Sequence, residues 1–215
     1  DAMRGFARTF RSVNGLDLDG DFVYAVNLGG DDSVKIGDVF FASSTRGVDG
    51  FVCNLKPGTG NAGNHPEAEL KKLLGTHGWA DGPVSMSLKA KPGSRYKLQL
   101  IVREPKGGGH HRNFSVNIDG RAAADNLLVN ARPGAYSEES LVYTVEAEAA
   151  SDTLKVVLIP GNSAGGTDGV PVVNALTLEE ISGQPALAKP GYFAAYAEGQ
   201  ARWEAETLAK LEKKE

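Results

Sequence analysis

The run Phe22-Val23-Tyr24-Ala25-Val26-Asn27-Leu28-Gly29-Gly30 decides how this chain reads. β-branched and aromatic side chains suit a pleated, half-buried strand, and the glycines supply backbone conformations that other residues avoid. The same pattern recurs in Tyr96-Lys97-Leu98-Gln99-Leu100, in Phe114-Ser115-Val116-Asn117-Ile118-Asp119-Gly120 and in Pro171-Val172-Val173-Asn174-Ala175-Leu176-Thr177-Leu178. Period-two or continuous apolar runs closed by Gly, Asn and Asp are strands meeting turns.

Working outward from these runs, strands are expected near 21–28, 35–42, 50–54, 83–90, 95–104, 112–119, 126–130, 139–147, 152–159 and 171–181. Short strands at this spacing predict an all-β fold, a sandwich or a barrel. One helix interrupts them, Pro66-Glu67-Ala68-Glu69-Leu70-Lys71-Lys72-Leu73-Leu74-Gly75. Its proline and acids come early, its lysines late and its glycine last, the order that backbone sterics and the helix dipole favour. After Ile181, Ser182-Gly183-Gln184-Pro185 and Lys189-Pro190-Gly191 read as a linker. Tyr192 to Glu215 is rich in Ala, Glu and Lys, and Phe193, Tyr196, Trp203 and Leu211 suit one helical face. The expected organisation is an N-terminal segment over 1–20, a sandwich over 21–182, and a linker with a C-terminal helix over 183–215. That helix either docks on its own sandwich or contacts a protein partner.

The 215 residues include 23 basic and 27 acidic side chains, a net charge of −4. Such a chain has no global attraction to a phosphate backbone, so nucleic acid is not an expected partner. Arg103, Lys106, His110, His111 and Arg112 come closest to a basic patch and read as a solvated hairpin tip. Cys53 is the only cysteine, which excludes an internal disulfide and a thiolate-rich zinc site. No apolar run is long enough to span a bilayer as a helix, and no secretory signal is visible. The chain begins at Asp1, as a processed product or an excised piece would.

Several motifs resemble those of malectin-like domains, mostly non-catalytic sugar-binding modules. Val26-Asn27-Leu28-Gly29-Gly30 looks like the family's opening strand and Asn-x-Gly-Gly turn, and Ile36-Gly37-Asp38-Val39-Phe40 like the strand that follows. Tyr96 to Glu104 is similar to its long central strand, Arg112 to Gly120 to the strand and turn after it, and Val173-Asn174-Ala175-Leu176 to its closing strand. The resemblance spans about 21–182 and implies a two-sheet antiparallel β-sandwich, a jelly roll, with sugar held by loops at one rim. It also favours a secreted, periplasmic or cell-surface setting.

The binding residues depart from the family pattern. The family's aromatic-x-x-Glu-Arg-aromatic segment is here Leu74-Gly75-Thr76-His77-Gly78-Trp79, and Lys106 to His111 replaces the aromatics that follow the central strand of animal malectin. Trp79 matches the second aromatic, and Asp168 lies near the family's loop acid. A sugar offers a weakly apolar C–H face and a ring of hydroxyls, so a flat aromatic surface with a few fixed polar groups grips it. The expected carbohydrate-binding set is Trp79, His77, His110, His111, Asp168 and Phe51, with a short glycan as partner. The rival expectation is a structural or protein-interaction module that has lost the sugar site.

Other motifs carry less. Gly161-Asn162-Ser163-Ala164-Gly165 satisfies G-x-S-x-G, but Gly166 to Pro171 starts a helix poorly and no histidine follows, so a loop is expected. Pro57 to Gly63 lacks the Gly-Lys-Ser/Thr ending of a phosphate loop and reads as a long loop. Asp17, Asp19 and Asp21 lack the glycine and glutamate of an EF-hand, although Asp31 and Asp32 leave structural calcium open; no other cofactor is expected. Asn113-Phe114-Ser115 is a glycosylation sequon on an expected strand. Glu104 has no carboxylate partner legible in sequence and is expected to make a structural hydrogen bond, so no enzyme activity is expected.

Overall fold

The computed structural model describes residues 13–14, 16–62, 68–106, 111–130, 140–163 and 167–183. Residues up to Gln184 form one compact unit. The helix expected within 183–215, Pro66, Glu67 and His110 lie outside the described residues.

The strands are β1 (Val13–Asn14), β2 (Phe22–Asn27), β3 (Val34–Ile36), β4 (Val39–Ser43), β5 (Phe51–Cys53), β6 (Lys56–Thr59), β7 (Thr76–Trp79), β8 (Val84–Lys89) and β9 (Arg95–Val102). Then come β10 (His111–Ile118), β11 (Arg121–Asn130), β12 (Ser140–Glu148), β13 (Thr153–Pro160), β14 (Thr167–Asp168), β15 (Val172–Val173) and β16 (Ala175–Glu180). Helix α1 (Ala68–Leu74) sits between β6 and β7, with Leu70, Leu73 and Leu74 buried at the expected helical spacing.

A seven-stranded sheet runs β1-β12-β9-β16-β2-β4-β3, and a second runs β11-β10-β13-β8-β5 with β14 beside β10. A third, small sheet of β15, β7 and β6 closes one end. The expected all-antiparallel pairing needs correction: β1 with β12, β2 with β4 and β10 with β14 are parallel. The 35–42 strand is a hairpin, because Gly37 adopts a φ of 59° and turns β3 back as β4. The Pro57 to Gly63 loop is partly β6, paired with β7.

Contacts between the two large sheets alternate along the strands. Tyr24 of β2 meets Phe51 of β5 with ring centroids 6.5 Å apart. Tyr143 of β12 donates a 2.8 Å hydrogen bond to the Ala123 carbonyl of β11, and burial pushes its pKa up to about 12. Leu98, Leu100, Leu176 and Leu178 fill the same layer.

The other face of the seven-stranded sheet is also covered, which explains why β9 is buried almost throughout. Ile101, Val142 and Ala175 pack there against Leu16, Leu70, Leu73 and Leu74. Farther along the same face, the backbone of Asp17 exchanges hydrogen bonds with the Gln99 amide, at 2.8 and 2.6 Å. Lys97 pairs with Asp17 at 3.0 Å and with Glu179 at 2.5 Å. The segment from Leu16 to Gly20 is therefore strapped across the sheet.

Lys97→Ala would leave the buried Glu179 carboxylate without its cation. Urea unfolding should show a loss of about 3–5 kcal/mol; an unchanged midpoint would contradict this role. Burial works against the charge on Lys97, but hydrogen bonds to Glu179 and Asp17 outweigh it and raise the pKa above its ordinary 10.5. The folded state thus holds this proton more tightly than the unfolded chain. The stabilisation is full below that ordinary value and is lost as pH climbs through the higher folded one.

Candidate functional site

Two asparagines set the position of β7. Asn174 stands where the closing strand leaves the small sheet as β15 and enters the large one as β16. Its Nδ2 donates to the carbonyls of Leu74 and Thr76, at 3.1 and 2.6 Å, and its Oδ1 accepts from the Arg103 amide at 2.7 Å. One buried side chain thus joins the end of α1, the start of β7 and the end of β9. Asn27 accepts from the Thr76 hydroxyl at 3.2 Å and donates to the Asp32 carbonyl at 2.9 Å. Gly29, with φ of 100°, presses against the backbone of His77, where a Cβ would collide with the His77 carbonyl. That close approach gives the Asn-x-Gly-Gly turn its physical reason.

So held, β7 sends His77 and Trp79 into an open cavity of about 340 Å3 at the end of the sandwich where β9 finishes and β10 begins. Thr59, Pro105, Lys106, Arg112, Asp168, Val170 and Val172 complete its lining. Trp79 is half-buried, and the Lys56 ammonium lies 5.2 Å from its ring centroid, in cation–π range. Lys56 also pairs with Asp81.

Arg112 is only 2% exposed and organises the floor. Its guanidinium donates to both oxygens of Glu104, at 2.7 and 3.2 Å, and to the Val170 carbonyl. It also lies 3.2 Å from Asp168. Lys106 reaches the same Asp168 oxygen at 3.2 Å, and the other oxygen accepts from the Val170 amide at 2.9 Å. Partial burial works to raise the Asp168 pKa, but the Val170 amide, Arg112 and Lys106 together hold it below the ordinary 3.8. His77 is 8% exposed; burial, then the Arg112 charge, lower its pKa from 6.5, so its imidazole is neutral at pH 7.

The structure therefore brings His77, Trp79 and Asp168 together across sequence separations of up to ninety-one residues. Phe51 stands apart, buried against Tyr24 between the large sheets. His111 is placed by its backbone alone, opposite Thr167 of β14 and Asn130 of β11. Arg103 and Arg112 are each 2% exposed, so the solvated-tip reading fails for both. Glu104 makes the structural bonds expected of it, to Arg112 and to the Lys106 amide at 3.0 Å. Sequence reasoning missed Thr59, Lys106 and Arg112 as cavity residues; the Arg112 to Asp168 pairing follows from strand register that no local pattern encodes.

The other motifs resolve simply. Ser163 follows β13 and accepts a hydrogen bond from the Gly169 amide at 2.9 Å. Asp31 accepts from Thr45, and Asp32 pairs with Arg46. Among the described residues, no group of three or more His, Cys, Asp or Glu is arranged to hold a metal ion. Asn113 of the sequon donates to Asn126 at 2.9 Å, from a strand paired on both sides.

Asn174→Ala would leave buried partners on three elements without their bonds, and chemical denaturation should show a loss of about 2–4 kcal/mol. Retained stability would show that β7 is held otherwise. For Asp168 the depressed pKa means its contribution is full above 3.8 and fades as pH falls through the lower folded value. Carboxyl NMR titration should show this pKa moving upward in Arg112→Met, where one of its two cationic partners is gone; no movement would contradict the pairing.

No family model matches the chain, and no curated protein matches it. Solved structures do. Bacteroides uniformis beta-glucuronidase 2, covalently bound to cyclophellitol-6-carboxylate aziridine, aligns with a TM-score of 0.57 and 15% identity over 74% of this chain and 18% of its own. The ANX1 ectodomain from Arabidopsis thaliana aligns at 0.53 and 14% identity over 74% of this chain and 41% of its own. The plant receptor-like kinase FER aligns at 0.55 and 10% identity over 73% and 48%. This chain thus spans less than half the length of each. At these identities the likeness concerns architecture, and it agrees with the motifs that lead from Asn27 to Asn174. The chain folds as a malectin-like β-sandwich.

Proposed function

We propose that this module binds a short glycan, without transforming it, in the cavity formed by β7, the end of β9 and the Asp168 loop. The observation that carries this reading is the pairing of one half-buried aromatic, Trp79, with a fixed carboxylate, Asp168, on a single open cavity. Trp79 offers a flat apolar surface to the C–H face of a sugar ring. Asp168 accepts hydroxyl hydrogen bonds from an orientation set by Arg112 and the Val170 amide. Lys106, exposed beside Asp168, donates to ring or hydroxyl oxygens, and Thr59 does either. His77 stays neutral and shapes the wall. His110 and His111 stay in the proposed set on the sequence pattern alone, since His110 lies outside the described residues and His111 is placed only by its backbone. Phe51 is left out, because its ring is engaged in the core.

The carboxylates support binding rather than hydrolysis. Glu104 and Asp168 both pair with the same buried guanidinium, and the Asp168 carboxyl is held below its ordinary pKa, the opposite of what a general acid needs. A cavity of this size with one aromatic wall suits micromolar to millimolar affinity, about −4 to −8 kcal/mol.

A second reading, a protein-interaction module, has its own support. One solved structure of this fold holds FER with the plant peptide RALF23 and LLG2. The composition of residues 192–215 would give a helix with Phe193, Tyr196, Trp203 and Leu211 on one side. Truncation after Gln184 would then abolish partner binding or self-association, whereas the glycan reading predicts that saccharide binding survives it.

Calorimetric titration against a saccharide panel tests the first reading. At least one short glycan should bind, Trp79→Ala should weaken it at least tenfold, and a folded Asp168→Asn variant should bind it several-fold more weakly. Absence of saccharide binding up to millimolar concentration, or equal binding by Trp79→Ala, would remove the glycan reading.

A further inference from the structure

A larger concavity, about 940 Å3, opens away from the cavity just described, at the starts of β2 and β4. These two strands run parallel and pair only at Val26 with Ala42 and Asn27 with Ser43. Upstream the pairing stops, so the two strands form a fork along which the concavity lies. From Phe22 to Ala25, β2 pairs with β16 on one side and with no described strand on the other. Likewise β4 from Val39 to Phe41 pairs with β3 but with no described strand on its β2 side. Two backbone edges therefore face each other across an open gap, and exposed edges are templates for another strand.

The walls specify the occupant. Val23 and Phe40 are 46% and 60% exposed, unusual for large apolar side chains on paired strands. Asp19, Asp21, Asp38 and Asp49 all line the concavity and are exposed, and among the described residues no Lys, Arg or His lines it. No described residue makes an ion pair with any of the four. Nucleic acid and acidic peptides are repelled by such a field, whereas an extended chain carrying cations and small apolar groups satisfies the edges, the apolar walls and the charge together.

We propose that the fork between β2 and β4 is a docking site for an extended cationic peptide segment, which adds as a strand between them. Facing edges of three to four residues accept about four peptide residues at roughly 3.3 Å each. Main-chain bonds supply the pairing, Val23 and Phe40 pack against alternate apolar side chains, and the four aspartates take the basic ones. Because the charges are exposed, binding weakens as salt rises.

The test uses the whole chain and fluorescently labelled seven-residue peptides read by anisotropy. The first alternates lysine and valine; the second replaces lysine by glutamate; the third keeps lysine and valine but carries N-methyl groups on alternate amides. The lysine peptide should bind, weakening at least tenfold between low and physiological salt, and the other two should not. Asp21→Lys combined with Asp38→Lys should weaken the lysine peptide at least tenfold and leave saccharide binding unchanged. No binding of the lysine peptide at millimolar concentration, or equal binding by its N-methylated form, overturns the proposal. So does a folded Asp21→Lys/Asp38→Lys variant that binds as the unaltered chain does. Should that variant fail to fold, the peptide comparison alone decides.

Discussion

The arrangement at the end of this sandwich depends on the buried amide of Asn174. A primary amide has two donor hydrogens and an accepting oxygen, and here all are used on backbone groups of different elements. Leaving such groups unpaired in the interior is costly, so few alternative placements of α1, β7 and β9 compete. Asn27 and Gly29 press on β7 from the other side. The side chains of His77 and Trp79 are thereby aimed by bonds that neither makes itself. Recognition by a few fixed groups requires this, because each freely rotating contact would lose affinity to ordering.

Arg112 provides the second constraint. A guanidinium buried to this degree is tolerable only when its charge and donors are matched, and Glu104, Asp168 and the Val170 carbonyl match them. The matching links the end of the seven-stranded sheet, the start of β10 and the loop before β15. It also fixes the chemical character of the cavity. Two carboxylates and two cations pair with one another at its floor and leave oriented polar groups there. A neutral, hydroxyl-rich ligand suits that surface better than a strongly charged one. The acidic fork between β2 and β4, by contrast, has no cation on its walls among the described residues.

Much of the fold is legible in the sequence because strands alternate side chains between two faces: Thr153 to Pro160 does so on a half-buried sheet, and Tyr96 to Leu100 alternates in sequence although both faces of β9 are covered. Features set by long-range pairing are not. Pro57 and Gly58 read as loop residues, and only the register of Gly58 opposite His77 makes them a strand. Arg121 to Asp125 has too little apolar character to signal the first half of β11. The stretch 171–181 looks like one strand, yet Asn174 divides it between two sheets. Residues 16–20 look like a preface to the sandwich and instead cover a sheet face through Leu16 and Asp17. Among the residues that line the cavity, Trp79 and Asp168 are legible through the family pattern, and His77 as a departure from it. Arg112 is not, since a basic residue beside two histidines resembles a solvated turn until its register with Asp168 is known.

The most direct measurement is amide and indole NMR shift mapping while saccharides are titrated into the isotope-labelled chain. The account predicts that the perturbed signals cluster at the Trp79 indole and at Thr59, Gly78, Lys106, Gly169 and Val170, while β5 and the fork between β2 and β4 stay still. Perturbations confined to the fork or the sheet faces, or no perturbation by any saccharide, would contradict it.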